Sequence, residues 1–147
     1  MIIINTTRSL RRGPPPSQPM PPHLVGQVQR GIDLLMTRIL GCESCEQEFR
    51  TLPRGLSFTQ IVNLGVYVNY HPANNTDWGW MDTGYPQDIV LTPLAIRMGR
   101  WAIAGTIVHE IAHLNGAPGG NDHAAEHTLS KCRLMSQNGP YDRNIVG

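Results

Sequence analysis

The feature that most constrains this fold is an apolar segment near the end of the chain, residues 100–115. Its apolar side chains would surround a helix on nearly every side: Ala102, Ile103, Ile107, Val108, Ile111, Ala112 and Leu114. A helix that is apolar all round must be buried, so other elements have to pack against it from several directions. Three polar residues, His109, Glu110 and His113, interrupt the segment, and burying them is costly unless a metal or hydrogen-bond partners compensate.

These three residues form a His-Glu-x-x-His motif at residues 109–113. Residues four apart lie one helical turn apart, so both imidazoles can bind the same Zn²⁺. Glu110 then lies beside the open position of the metal, where its carboxylate can act as a base. The alternative is an ordinary helix with two core histidines and a surface glutamate. The motif predicts one catalytic zinc ion, with His109 and His113 as ligands and Glu110 as the catalytic residue.

A catalytic zinc site takes three protein ligands, so one more is required. The sequence offers four nearby candidates: Asp122, His123, Glu126 and His127. A second helix is predicted at 124–132, and its start would present such side chains to the metal. We favour His123, because it ends the preceding turn and would complete a three-histidine site, with Asp122 second and Glu126 third. A carboxylate that is not a ligand can orient a ligating histidine.

The rest of the pattern predicts a single α+β domain with a small sheet, a buried active-site helix and a following short helix. Helical spacing at 23–40 predicts a core helix. Residues 61–70 and 88–92 are rich in β-branched and aromatic side chains and are predicted strands, followed by a helical turn at 93–98. An edge of this sheet, at the first strand or the segment after it, is expected to hold an extended peptide.

Residues 1–22 are expected to form a flexible proline-rich segment ahead of the domain at 23–147. Prolines crowd its second half: Pro14, Pro15, Pro16, Pro19, Pro21 and Pro22. Proline favours an extended chain and is excluded from helix interiors and central strands. The segment is interpreted as a tether to something larger or, equally, as an SH3-type ligand or a simple disordered tail.

The loop at 73–87 carries more aromatic surface than an inert loop needs. Its large side chains are Trp78, Trp80, Met81 and Tyr85. They are expected either to rim a substrate cleft or to cover the core. Tyr85 and Tyr141 are both flanked by turn residues, and either is a candidate to stabilise the transition state by donating a hydrogen bond.

Three cysteines, Cys42, Cys45 and Cys132, are too few for a four-ligand structural zinc site. A disulfide between two of them, with one left free, is the preferred interpretation outside a reducing compartment. Reduced structural cysteines come second. A redox motif at Cys42-x-x-Cys45 comes third.

Charge gives no case for nucleic acid or membrane as a partner. Lys and Arg together number 12 and Asp and Glu number 11, a formal charge of +1. The apolar run at residues 1–4 is too short for a signal-peptide core and precedes the basic residues. Neither a signal peptide of the general secretory type nor a transmembrane segment is expected, so export would need another route or a larger polypeptide.

Residues 109–116 resemble the zincin metallopeptidases. Gly116 stands where the extended metzincin motif has its turning glycine, but the third histidine of that motif would fall on Gly119. A closer likeness is to the aspzincins, where a short glycine turn after the helix delivers an aspartate ligand, as residues 119–122 would deliver Asp122. The resemblance covers roughly residues 88–130 and implies a compact zincin-like domain.

Similar small zincin domains occur at the ends of secreted bacterial toxins, and that likeness implies a cognate inhibitor or immunity protein as a partner. The function expected from the sequence is a zinc-dependent metalloendopeptidase acting on protein or peptide substrates. One alternative is a zinc amidase acting on cell-wall peptides. The other is a zinc-stabilised binding module without catalysis, although such a module has no need of Glu110.

Overall fold

The computed structural model describes residues 1–39, 42–119 and 123–134. Its elements in chain order are β1 (Ile2–Ile4), α1 (Pro22–Ile39), α2 (Glu43–Thr51), α3 (Phe58–Leu64), β2 (Val66–Tyr70), β3 (Gly79–Trp80), β4 (Asp88–Leu91), α4 (Pro93–Arg97), α5 (Arg100–Leu114) and α6 (His123–Lys131). They confirm the α+β class, with a small sheet, a buried helix and a short helix after it. No helix in these ranges is long and apolar enough to span a membrane.

The sheet has the order β1-β2-β4-β3, in which β3 alone runs antiparallel to its neighbour. Side chains alternate between its two faces. Ile4, Val68 and Ile89 are paired across three strands and belong to the main core, which they share with the helices. The opposite face presents Asn69 and Asp88, both fully buried. A polar sheet face that is also buried requires another part of the chain to cover it.

The N-terminal segment provides that cover. Asn5 donates a hydrogen bond from Nδ2 to Asn69 Oδ1 at 2.7 Å, and Arg11 Nη2 lies 2.7 Å from Asp88 Oδ2. The guanidinium compensates the buried carboxylate, which would otherwise carry a large desolvation cost. Hydrogen bonding to Asp88 raises the pKa of Arg11. Gly13 lies so close above the sheet that an added Cβ would be 2.5 Å from Asn69 Oδ1.

This arrangement differs from the expected flexible segment at residues 1–22. Residues 2–4 form an edge strand, Gln18 pairs with Tyr70, and Met20 is 1% exposed. The prolines do exclude regular structure over most of the segment. Asn5 and Arg11, which precede the prolines, nevertheless have partners on the sheet, and composition does not reveal those partners.

Helix α5 is buried as its sequence predicts. Of its 15 residues, 12 are buried, and it packs against α1, α6 and the sheet. Gly31 lets α1 and α5 pack closely, because an added Cβ at this position would lie 2.4 Å from Ile103 Cγ2. The strongly polar residues of α5 therefore have to be satisfied inside the protein or at the wall of a cavity.

Two helices differ from the sequence prediction. Residues 58–64 form α3, so the strand expected at 61–70 begins only at Val66. Ser57 and Gln60 form a capping box that starts α3, and Gly65, at φ +94°, ends it. Helix α2 was not predicted at all.

Candidate metal centre

His109 and His113 face each other on one side of α5. Their Nε2 atoms are 3.2 Å apart, and the ring planes are inclined at 66°. Two nitrogens bound to one tetrahedral zinc at 2.0–2.1 Å would be separated by about 3.3 Å. The spacing of the two Nε2 atoms therefore fits a pair of zinc ligands without rearrangement of α5.

Each imidazole also has an oxygen beside its other ring nitrogen. His113 donates from Nδ1 to the backbone oxygen of Ala117 at 2.8 Å, and His109 Nδ1 lies 3.1 Å from Glu126 Oε1. A ligating histidine commonly donates its second N–H to a carbonyl or carboxylate, which fixes the tautomer that points its free lone pair at the metal. The hydrogen bond to Ala117 fixes this tautomer for His113. Glu126 lies at ion-pair distance from Nδ1 of His109, so an oxygen stands on the corresponding side of each ring and both Nε2 atoms face the shared position.

Glu126 therefore occupies the place of an orienting carboxylate. It contacts the nitrogen of His109 that is turned away from His113, and its side chain is 31% exposed. Its Oε2 is buried and has no hydrogen-bond partner within the described ranges. The Oε1 contact fits the supporting role considered from the sequence, while Glu126 as a ligand stays a prediction, since its Oε2 has no partner among the described residues and the residue lines the same cleft.

The other third-ligand candidates have different outcomes. Asp122 and the side chain of His123 lie outside the described residues, although His123 is the first residue of α6. His127 turns toward α2, where its Nε2 is 3.4 Å from Glu48 Oε1. Within the described part of the chain, no group of three His, Cys, Asp or Glu side chains is placed to hold a metal ion. The two-histidine pair fits zinc, and the residue that completes the site stays a prediction.

Glu110 and both histidines line one cleft of about 580 Å³. Glu110 is 6% exposed and lies under β3, where an added Cβ on Gly79 would come within 3.4 Å of Glu110 Cγ. The same Cβ would lie 2.6 Å from Thr106 Cγ2, so only glycine allows the strand to lie this close to α5. Strand, catalytic candidate and histidine pair thus meet at one place.

The loop around β3 forms the opposite wall of the cleft. Trp78, Trp80 and Met81 line it and are half-buried, and Met81 also packs against the core, so this loop combines features of both expected roles. Trp80 donates from Nε1 to His71 Nδ1 at 3.2 Å, which holds the indole in place. Tyr85 is not among the described lining residues, and Tyr141 lies outside the described part of the chain.

The polar residues in this wall of the cleft were not predicted from the sequence. Thr76, Asp77 and Thr83 also line the cleft. Asn74 orders the first two, because its Oδ1 accepts hydrogen bonds from the backbone nitrogens of Thr76 and Asp77 at 3.0 Å. An asparagine is a recognisable turn signal, because its side-chain oxygen can accept a hydrogen bond from the backbone two residues on. The signal identifies a turn and carries no information about which cavity the turn borders.

The described residues that line the cleft give it an acidic character. They include three carboxylates, from Asp77, Glu110 and Glu126, and neither lysine nor arginine. A cation placed between the histidines would offset this concentration of negative charge. The charge pattern is a second feature, independent of the nitrogen spacing, that suits a divalent metal.

Asn115 fixes the end of α5 below the site. It is fully buried and donates from Nδ2 to the backbone oxygens of Phe49 and Leu56, each at 2.7 Å, while its Oδ1 accepts from Leu56 N at 3.2 Å. Gly116 follows at φ +94°, packed against Pro53. Together they set the direction in which the chain leaves α5 and hence the position of the Ala117 oxygen that backs His113.

Comparison with protein-family models, with curated proteins and with solved structures finds no match.

Proposed function

We propose that this chain is a zinc-dependent endopeptidase. The observation that carries the proposal is the pair of Nε2 atoms 3.2 Å apart, backed by Ala117 and Glu126, in the same cleft as Glu110. Oxygens behind the rings would also satisfy an ordinary pair of buried histidines. The features that favour a metal site are the spacing of the Nε2 atoms and the acidic cleft in front of the rings. Zinc, when bound, would acidify water and polarise the substrate carbonyl.

The residues of this chain would supply the remaining steps. Glu110 would accept the proton of the attacking water and transfer it to the leaving amine, in the usual manner of general acid–base catalysis. Its position beneath β3 brings it close to any chain that lies along that strand. Glu126 and the Ala117 oxygen would hold the histidine rings in orientation and prevent them from turning during the reaction.

Strand β3 supports a peptide as the substrate class. It is an edge of the sheet, with β4 on one side and the cleft beside it, so an extended peptide can add to it as a further strand. The predicted strand at 61–70 is wrong as an edge candidate, because β2 lies between β1 and β4. The other candidate, the segment that follows, contains the edge strand β3.

The experiment that tests the proposal replaces Glu110 with glutamine. Glu110→Gln preserves the shape of the side chain but cannot accept a proton, so hydrolysis of an unfolded protein should fall roughly 10²- to 10⁴-fold. Zinc content by elemental analysis should stay near one ion per chain, because Glu110 is not a ligand. Glu43→Gln is the matched control, since Glu43 is exposed on α2 and its side chain contacts Gln47.

The outcomes separate the alternatives. Equal hydrolysis by wild type and Glu110→Gln, insensitive to a chelator, would reject the mechanism. Zinc binding without hydrolysis of protein substrates or peptidoglycan fragments would favour the non-catalytic module. Hydrolysis of peptidoglycan fragments alone would favour the cell-wall amidase. A toxin role with an immunity protein as partner is part of the proposal only through the likeness in sequence.

A further inference from the structure

The three cysteines form one cluster at the junction of α2 and α6. Cys45 and Cys132 are joined by a disulfide that spans 87 residues, and both are fully buried. Cys42 is free and half-buried, and it stands three residues before Cys45. The preferred interpretation of the sequence, one disulfide and one free thiol, is confirmed, and the pairing leaves the thiol next to the bond.

Local geometry gives Cys45 a second partner within reach. Cys42 is the N-cap of α2, and its backbone oxygen accepts a hydrogen bond from Cys45 N at 3.1 Å. Cys42 has an extended backbone, and the hydrogen bond closes a turn between it and Cys45. A rotamer change and a small adjustment of this turn would bring the two Cβ atoms to the roughly 3.5–4.5 Å that a disulfide requires. Cys45 can therefore pair with Cys132 across the fold or with Cys42 within one turn.

Ser44 connects the free thiol to the other end of the disulfide. Its Oγ lies 3.4 Å from Cys42 Sγ and donates to the backbone oxygen of Lys131 at 2.9 Å. Lys131 is the residue before Cys132. The thiol, the serine and the two bonded sulfurs thus belong to a single packed junction.

We propose that this junction is a site of internal thiol–disulfide exchange. The Cys42 thiol gives up its proton, and the thiolate attacks Cys45 Sγ. A Cys42–Cys45 bond forms as the Cys45–Cys132 bond breaks, and Cys132 leaves as a thiolate that takes up a proton. The number of disulfides and thiols is unchanged, so the reaction consumes neither oxidant nor reductant.

The surroundings of Cys42 favour its thiolate. A hydrogen bond donated by the Ser44 hydroxyl, which has to turn from the Lys131 oxygen to the sulfur to donate it, lowers the pKa of the Cys42 thiol. Burial opposes that effect, and the backbone amide of Cys45 and the charge of Arg133 add to the lowering. A thiol at a helix N-terminus near a cation is the environment in which reactive cysteines are found.

The exchange would release α6 from its covalent attachment. In the native pairing α6 is held to α2 by the disulfide, by the Ser44–Lys131 hydrogen bond and by the His127–Glu48 contact. Glu126, which backs His109, lies in the middle of this helix. Without this disulfide, α6 would be held to α2 only by noncovalent contacts, and the position of Glu126 would be less firmly fixed. The pairing of the cysteines would therefore control how firmly Glu126 orients His109.

Peptide mapping without reduction tests the exchange and does not depend on enzymatic activity. The native protein is incubated at pH 6 and at pH 8.5, quenched in acid, alkylated at low pH and digested with trypsin. Residues 39–50 form one tryptic peptide that holds Cys42 and Cys45, and Cys132 is released with Arg133. Exchange converts a cross-linked pair with alkylated Cys42 into an internally bonded 39–50 peptide and an alkylated Cys132.

We expect the exchanged peptides in the wild type. As long as the pH is below the thiol pKa, they should appear about tenfold faster for each unit by which the pH is raised, because the thiolate is the nucleophile. Cys42→Ser is the matched control and should retain the Cys45–Cys132 pair at both pH values. Ser44→Ala should move the onset of exchange to higher pH. Incubation in denaturant, where the chain is free to rearrange, verifies that the peptides can be detected. Their absence from the native protein at both pH values would overturn the proposal, as would a Cys42–Cys132 pair.

Discussion

Replacing Asn115 with alanine is expected to destabilise the protein strongly, although Asn115 touches neither the zinc position nor the cleft. The change removes three hydrogen bonds to Phe49 and Leu56. The Phe49 oxygen keeps a second donor, Leu52 N, at 3.1 Å, so it is not left unsatisfied. The nitrogen and oxygen of Leu56 lose their Asn115 partner, and each buried group left unpaired costs about 1–3 kcal/mol.

Leu56 is half-buried, so water can offset part of this cost, and we expect a loss of about 2–4 kcal/mol in the free energy of unfolding. Urea denaturation followed by tryptophan fluorescence would measure it, with comparable slopes for wild type and variant. The matched control is Asn75→Ala at an exposed position of the loop, where the change should stay within about 0.5 kcal/mol. A loss below about 1 kcal/mol for Asn115→Ala would refute this hydrogen-bond accounting.

Two further predictions concern the cleft and the ligands. Gly79→Ala should lower the free energy of unfolding by about 1–3 kcal/mol and should lower peptide hydrolysis, because the new Cβ would approach Val90 O to 2.8 Å. Unchanged stability and activity would show that β3 can shift freely. Glu126→Gln should weaken zinc binding about 10- to 100-fold, measured by competition with a chelator, as expected for loss of an orienting carboxylate. In the same assay His123→Ala should weaken binding more than Asp122→Ala does, and the reverse order would favour the aspzincin likeness.

Structural features that depend on local sequence were predicted most successfully. The spacing of apolar residues located α1 and α5 to within one residue at each end. The absence of a polar face on α5 also indicated that the helix is buried. The motif placed both histidines on one helical face, and the Nε2 distance agrees with that placement.

Features that depend on distant partners could not be read in this way. Glu43–Thr51 has the composition of a surface segment, yet Cys45 and Phe49 anchor it as helix α2 in the core. The choice of Cys132 over Cys42 as the partner of Cys45 depends on where α6 ends in space. The contact of Glu126 with His109 likewise requires two helices to pack, which neither sequence specifies alone.

The parallel pairing of β1 with β2 constrains the order in which the protein can assemble. Ile2 pairs with Val66, and Val68 in turn pairs with Ile89. The pairing of β1 with β2 and that of β2 with β4 therefore each join residues far apart in the chain. Pairings between distant residues slow folding, because a large loop must close before the contact is made. During synthesis the first strand leaves the ribosome well before β2 and β4 exist. Until then its isoleucines have no strand to pair with, and exposed apolar segments of this kind favour aggregation of a newly made chain.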